Sequence, residues 1–100
     1  MDYLVHLLDH DAILDEIREG DGWLESWAFH LPSENARLGE LDPSGETLFN
    51  RIQSLRLLEE VAALLTLPLS NPQQAFLLRL SEMLERCRDS DDLMVRFRGR

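Results

Sequence analysis

His6, Asp9, His10 and Asp11 form the one group of side chains in this sequence whose types and spacing suit metal chemistry. On a helix, His6 and His10 would lie one above the other at i and i+4, with Asp9 three residues from His6. Two imidazoles so placed can hold a divalent cation once a third ligand joins them. Asp2, four residues before His6, could supply it. The sequence offers no second cluster, and His30 has no local partner. Solvated or hydrogen-bonded side chains account for the group better than a metal site, so no metal or cofactor is expected.

Other catalytic signatures are missing. The serines (Ser26, Ser33, Ser44, Ser54, Ser70, Ser81 and Ser90) sit in cap, turn or helix-surface contexts, and none lies in a G-x-S-x-G elbow. Neither G-x-G-x-x-G nor a P-loop is present, so nothing cradles a nucleotide phosphate. Carboxylate pairs abound in so acidic a chain and therefore carry no information about acid–base catalysis. The chain is read as not an enzyme.

Aromatic and acidic residues crowd together between positions 9 and 29. Trp23, Trp27 and Phe29 fall within seven residues, flanked by Asp21 and Glu25. Tryptophan anchors many protein interfaces, and surrounding charge steers the partner. On a helix over 9–19, Asp11 and Asp15, then Asp15 and Glu19, would repel at i, i+4 by a few tenths of a kcal/mol each, roughly. A partner of opposite charge would relieve that repulsion. The candidate partner-binding residues are therefore Asp9, Asp11, Asp15, Glu16, Glu19, Asp21, Trp23, Glu25, Trp27 and Phe29. The plainer reading makes the acids a solvated face and the tryptophans core.

Charge narrows the class of partner. The 100 residues carry a net charge of -9, and all ten basic residues are arginine. The excess lies in residues 1–50, where 12 acids face Arg18 and Arg37; residues 51–100 hold 7 acids and 8 arginines. Such a surface repels a polyanion, so direct nucleic-acid binding is not expected. The Arg96–Arg100 segment is the exception, read as a basic tail over 93–100 that is solvated or paired with the acidic half. No run approaches the ~18 apolar residues of a membrane span, and Asp2 does not suit a secretory leader. The lone Cys87 cannot form an internal disulfide, which points to the cytoplasm.

The elements that must position these residues read as helices. In segment 44–66, Leu48, Ile52, Leu55, Leu58, Ala62 and Leu65 recur at steps of three and four, after a candidate cap at Ser44. Leu57, Val61 and Leu64 widen the stripe, so this is expected to be the central helix, contacted on more than one side. Segment 72–88 follows, capped by Asn71, with Pro72 in the first turn and Gln74 completing a capping box. Its apolar face is Phe76, Leu77, Leu80, Met83, Leu84 and Cys87. Residues 23–31 read as a short helix stopped by Pro32, and 33–41 as loop with room for a turn of helix. Residues 2–19 are favoured as helix, although their apolar positions spread over more than half the circumference. The expected fold is a single all-α domain over 1–100, a bundle of four to five helices around 44–66. The alternative is α+β, with short strands at 3–8 and 93–98, because Leu93, Val95 and Phe97 alternate with Met94, Arg96 and Arg98.

These features point to a non-catalytic, acidic protein-binding module whose partner is a basic protein. In size, acidity and helical patterning the chain is similar to small bacterial immunity proteins, a likeness of class carried by no motif. That likeness implies an inhibitor of the immunity or antitoxin kind, which caps the basic cleft of a nuclease-type toxin. A homo-oligomeric structural or regulatory helical module, such as a homodimer that buries the second side of 44–66 and the 76–87 face against another subunit, is the alternative. A metal-dependent enzyme using His6 and His10 ranks third.

Overall fold

In the computed structural model, Tyr3, Val5 and Leu7 point to one side of an extended segment, and Leu4, His6 and Leu8 point to the other. Residues 3–9 form strand β1 (Tyr3–Asp9), apolar on both faces, which is why a helical reading of 2–19 had to spread its apolar residues so widely. The structure describes residues 2–20, 22–28 and 37–100. A turn at His10 and Asp11 leads into β2 (Ala12–Arg18), with His10 in the left-handed region at φ 53°. Helix α1 (Trp23–Ala28) follows, and then a 3-10 helix at Arg37–Glu40. Strand β3 (Glu46–Phe49) precedes α2 (Arg51–Leu64) and α3 (Asn71–Arg88), and β4 (Leu93–Gly99) comes last.

The fold is therefore α+β, with one four-stranded antiparallel sheet in the order β2-β1-β4-β3, and not an all-α helical bundle. The two strands kept as the alternative pair with each other at the centre of the sheet, from Tyr3 opposite Gly99 to Asp9 opposite Leu93. A strand at 93–98 is unstable alone but gains a ladder on both sides here. The 93–99 stretch read as a possible tail is β4. Gly99 has no room for a side chain, since a Cβ there would collide with the Pro43 carbonyl.

The helices cover one face of the sheet. Tyr3, Val5, Leu7, Ile17, Phe49, Val95 and Phe97 enter a single core with Leu57, Val61 and Leu64 of α2 and the buried stripe of α3. The α3 face expected from the sequence, Phe76 through Cys87, is buried at every named position. Its cap is Ser70 rather than Asn71, and Gln73 rather than Gln74 closes the box, so the helix starts one residue earlier.

The long helix at 44–66 is corrected more deeply. Residues 46–49 are strand, Asn50 is the cap, and the helix presents the opposite side to the core. Ile52 is 70% exposed and Leu55 48%, whereas Leu57, Val61 and Leu64 are buried. The buried side also carries Ser54 and Glu60, so apolar spacing alone pointed the wrong way. Both polar groups are satisfied internally. The Ser54 hydroxyl donates to the Asn50 carbonyl at 2.9 Å. The Glu60 carboxylate accepts the backbone N–H groups of Arg37 and Leu38, each at 2.9 Å, and so fastens the 3-10 helix to α2.

Leu57→Ala should lower stability by about 2–5 kcal/mol, as truncation of a buried leucine does. Ile52→Ala should stay within about 0.5 kcal/mol of the parent. Urea denaturation of both variants checks this; equal losses would mean that the wrong side of α2 has been placed in the core.

Candidate functional site

The residues singled out between 9 and 29 do not share a surface. Asp21 and Phe29 lie outside the described residues. Trp27 is buried, and half-buried Trp23 packs edge-on against Phe76, with ring centres 5.8 Å apart. Asp15 points to the helix side of β2 and meets Arg79 of α3 at 3.1 Å. Glu16 points to the opposite side, toward His6. Glu25 is exposed on α1. Asp9 and Asp11 stand at the β1–β2 turn. A strand alternates sides at every residue, so the helical i, i+4 repulsion does not arise here.

Glu19 is buried, with 3% of its surface exposed. One carboxylate oxygen accepts the Leu24 N–H at 2.8 Å at the start of α1, while the other finds no partner among the described residues. Burial pushes its pKa up from 4.5 to about 7, against the opposing pull of the Leu24 backbone N–H. It is therefore an internal cap and not a contact residue.

The face of the sheet turned away from the helices brings together residues that are far apart in sequence. Its central row runs Glu16, His6, Arg96, Leu48 across all four strands. The Arg96 guanidinium donates to His6 Nδ1 at 2.7 Å. Arginine can only donate, so Nδ1 accepts and Nε2 carries the hydrogen, which it donates to Glu16 Oε1 at 2.7 Å. Both ring nitrogens are thus engaged, and His6 is only 3% exposed. His10 lies at the turn and contacts Asp9 at 3.8 Å, so the two histidines are not stacked as a helix would stack them. Among the described residues no three metal-ligating side chains converge.

Beside this row, toward the hairpin turn, Leu8, Leu48 and Met94 floor a groove of about 230 Å³. Its rim holds Asp11, Glu46, Asp92, His10 and Arg96. Leu48 is 47% exposed, Met94 36%, and neighbouring Ile13 53%. The aspartates come from two turns that the β1–β4 ladder places side by side, and Glu46 comes from β3. Asp9 and Asp11 belong to the β1–β2 hairpin, and Asp89, Asp91 and Asp92 to the connection from α3 to β4. Asp91 pairs with Arg51 at 3.2 Å and Asp89 with Arg88 at 2.9 Å. Among the described residues, Asp11 and Asp92 have no basic partner within ion-pair distance.

A second cleft, of about 430 Å³, lies between β2 and α3, where Trp23 and Phe76 meet Glu16, Arg18 and Arg79. Its one lining acid, Glu16, is already held by His6, and its Arg79 by Asp15. It therefore offers less unsatisfied charge than the groove over the sheet.

His6, Leu8, Glu46, Leu48, Asp92, Met94 and Arg96 were not identified as one site from the sequence. The alternation at 93–98 was the available signal, because it places Met94 and Arg96 on one face, but strand pairing was needed to bring His6 and Leu48 beside them.

The raised pKa of Glu19 sets a sign. The folded protein holds this proton more tightly than the unfolded chain does. The resulting stabilisation is complete below pH 4.5 and is lost as pH rises through about 7. A shift of this size is worth at most about 3 kcal/mol. Glu19→Gln should flatten the fall in stability across that window, followed by denaturation at several pH values; an unchanged slope would place the titration elsewhere.

No family model, curated protein or solved structure matches this chain.

Proposed function

We propose that this chain is a non-catalytic binding module that docks a basic protein on the open face of its sheet. The groove carries this reading, with a floor of Leu8, Leu48 and Met94 and a rim that includes the carboxylates of Asp11 and Asp92, neither of which has a basic partner among the described residues. An apolar centre ringed by charge suits an interface: the floor gains from losing water, and the rim steers a partner of opposite sign. The net charge of -9 extends that attraction beyond contact range. The proposed contact surface thus shifts from the 9–29 segment to the sheet, and of the original set Asp11 lines the groove and Glu16 lies on the same face.

The more specific form of the proposal is an inhibitor of the immunity or antitoxin kind. Carboxylates can occupy a cleft that otherwise holds phosphates, so a nuclease-type toxin is a chemically suitable partner. The likeness to immunity proteins now rests on size and acidity, since the helical-bundle part of it does not hold. Action in the cytoplasm fits the lone, buried Cys87, and none of the described helices is long and apolar enough to cross a membrane.

A second reading has one observation in its favour. Ile52 and Leu55 are exposed on neighbouring turns of α2, which would suit a homodimer formed through that helix. Light scattering across a concentration series separates the readings: a salt-insensitive dimer that Leu55→Glu disrupts would favour this second one.

The primary reading is tested with a basic protein captured from the native host and then purified. Its affinity should fall at least about tenfold as ionic strength rises from about 0.05 to 0.3 M. Asp11→Asn with Asp92→Asn should weaken binding and flatten the salt dependence, and Leu48→Ala should weaken binding at every salt concentration. Unchanged affinity in both variants would remove the open face from the interface.

A further inference from the structure

We propose that His6 is a proton-operated latch that controls the Arg96 wall of the groove. The inference builds on the docking reading for its consequence, but the latch itself is a property of the free protein.

Arg96 is held in place by little. It has no acidic partner within ion-pair distance among the described residues, and its Nε is buried without an acceptor. Its hydrogen bond to a side chain is the one from its guanidinium to His6 Nδ1 at 2.7 Å. That bond exists only while Nδ1 keeps its lone pair. Protonation places a hydrogen on Nδ1, and two donors, both cationic, then face each other at hydrogen-bond distance. The bond to Glu16 survives the change and becomes an ion pair, because Nε2 donates in either state. The imidazolium therefore stays with β2, and the arginine is the partner that must leave.

The surroundings set the direction of that movement. The charged groups facing His6 are Glu16 on β2 and Arg96 on β4, with Arg18, Arg98 and Glu46 one row away on the same face. Among the described residues the helices contribute none, since they pack on the other side of the sheet. Arg98 already approaches Glu46 at 3.9 Å. Arg96 also borders the groove whose rim holds Asp92 and Glu46, so a released guanidinium has acids to move toward. There it would lie over Leu48 and Met94 and cancel the negative charge meant for a basic partner. Acidification should thus close the groove, and neutral pH should open it.

Nuclear magnetic resonance tests the latch without a partner. Long-range ¹H–¹⁵N correlations should show the Nε2–H tautomer of His6 at about pH 8. On acidification, the methyl signals of Leu48 and Met94 and the Arg96 side-chain signals should shift with the same midpoint as the His6 ring. Exposed His10 serves as an internal control with its own midpoint. In His6→Gln, which keeps a donor and an acceptor but cannot titrate, that component of the methyl shifts should vanish. The latch is overturned if the methyls follow His10 or the carboxylates, if they stay still while His6 titrates, or if His6 does not titrate in the folded protein. With the captured basic protein, affinity should fall about tenfold between pH 7.5 and 5.5 in the parent, the size of one charged hydrogen bond, and stay level in His6→Gln. If the methyls shift as described but affinity does not, the latch stands and the docking reading fails.

Discussion

The pairing of β1 with β4 is the constraint on which the rest of this structure depends. The first and last strands of the sequence meet in antiparallel register over seven residue pairs and form the middle of the sheet. Every other strand is added to that pair, β2 on one side and β3 on the other. On the covered side the ladder aligns Val5 with Phe97 and Leu7 with Val95, all fully buried, and Phe97 meets Phe49 edge-on at 5.6 Å. On the open side it aligns His6 with Arg96 and Leu8 with Met94. Core and candidate site are thus two faces of one ladder, and a slip by one residue would exchange them.

This dependence explains which parts were legible in the sequence. Helix α3 could be read because its signals are local: a proline in the first turn and an apolar stripe whose named positions are all buried, although the cap is Ser70 and not Asn71. The α1 position was readable for the same reason, from Trp23 and Trp27 at helical spacing before Pro32. The first half misled because its order is non-local. A central strand with apolar residues on both faces lacks clean alternation, and β2 adds an irregularity in its register opposite Leu7 and Leu8. The face of α2 was misjudged because the buried side includes Glu60, a residue type that is almost never inside unless it is paired. Its pairing, to the backbone of the 3-10 helix, cannot be seen in a window of neighbouring residues.

The acidic half also changes meaning once it is folded. Its carboxylates serve at least three purposes. Glu19 is an internal group that fastens α1, with Glu60 from the second half serving the 3-10 helix in the same way. Asp15 and Glu16 are tied to Arg79 and His6. Asp11, with no basic partner among the described residues, gains Asp92, from the other end of the sequence, as a neighbour on the groove rim. The groove rim is therefore assembled by the chain's topology from both halves of the sequence, which a count of charge along the chain cannot show.

Native-state hydrogen exchange tests the central pairing most directly. The amides of Val5, Leu7, Val95 and Phe97 should be among the last to exchange, with a free energy equal to that of global unfolding. Exchange of the β4 amides at the rate of a frayed end, while those of α2 and α3 remain protected, would contradict the account and remove the open face along with it.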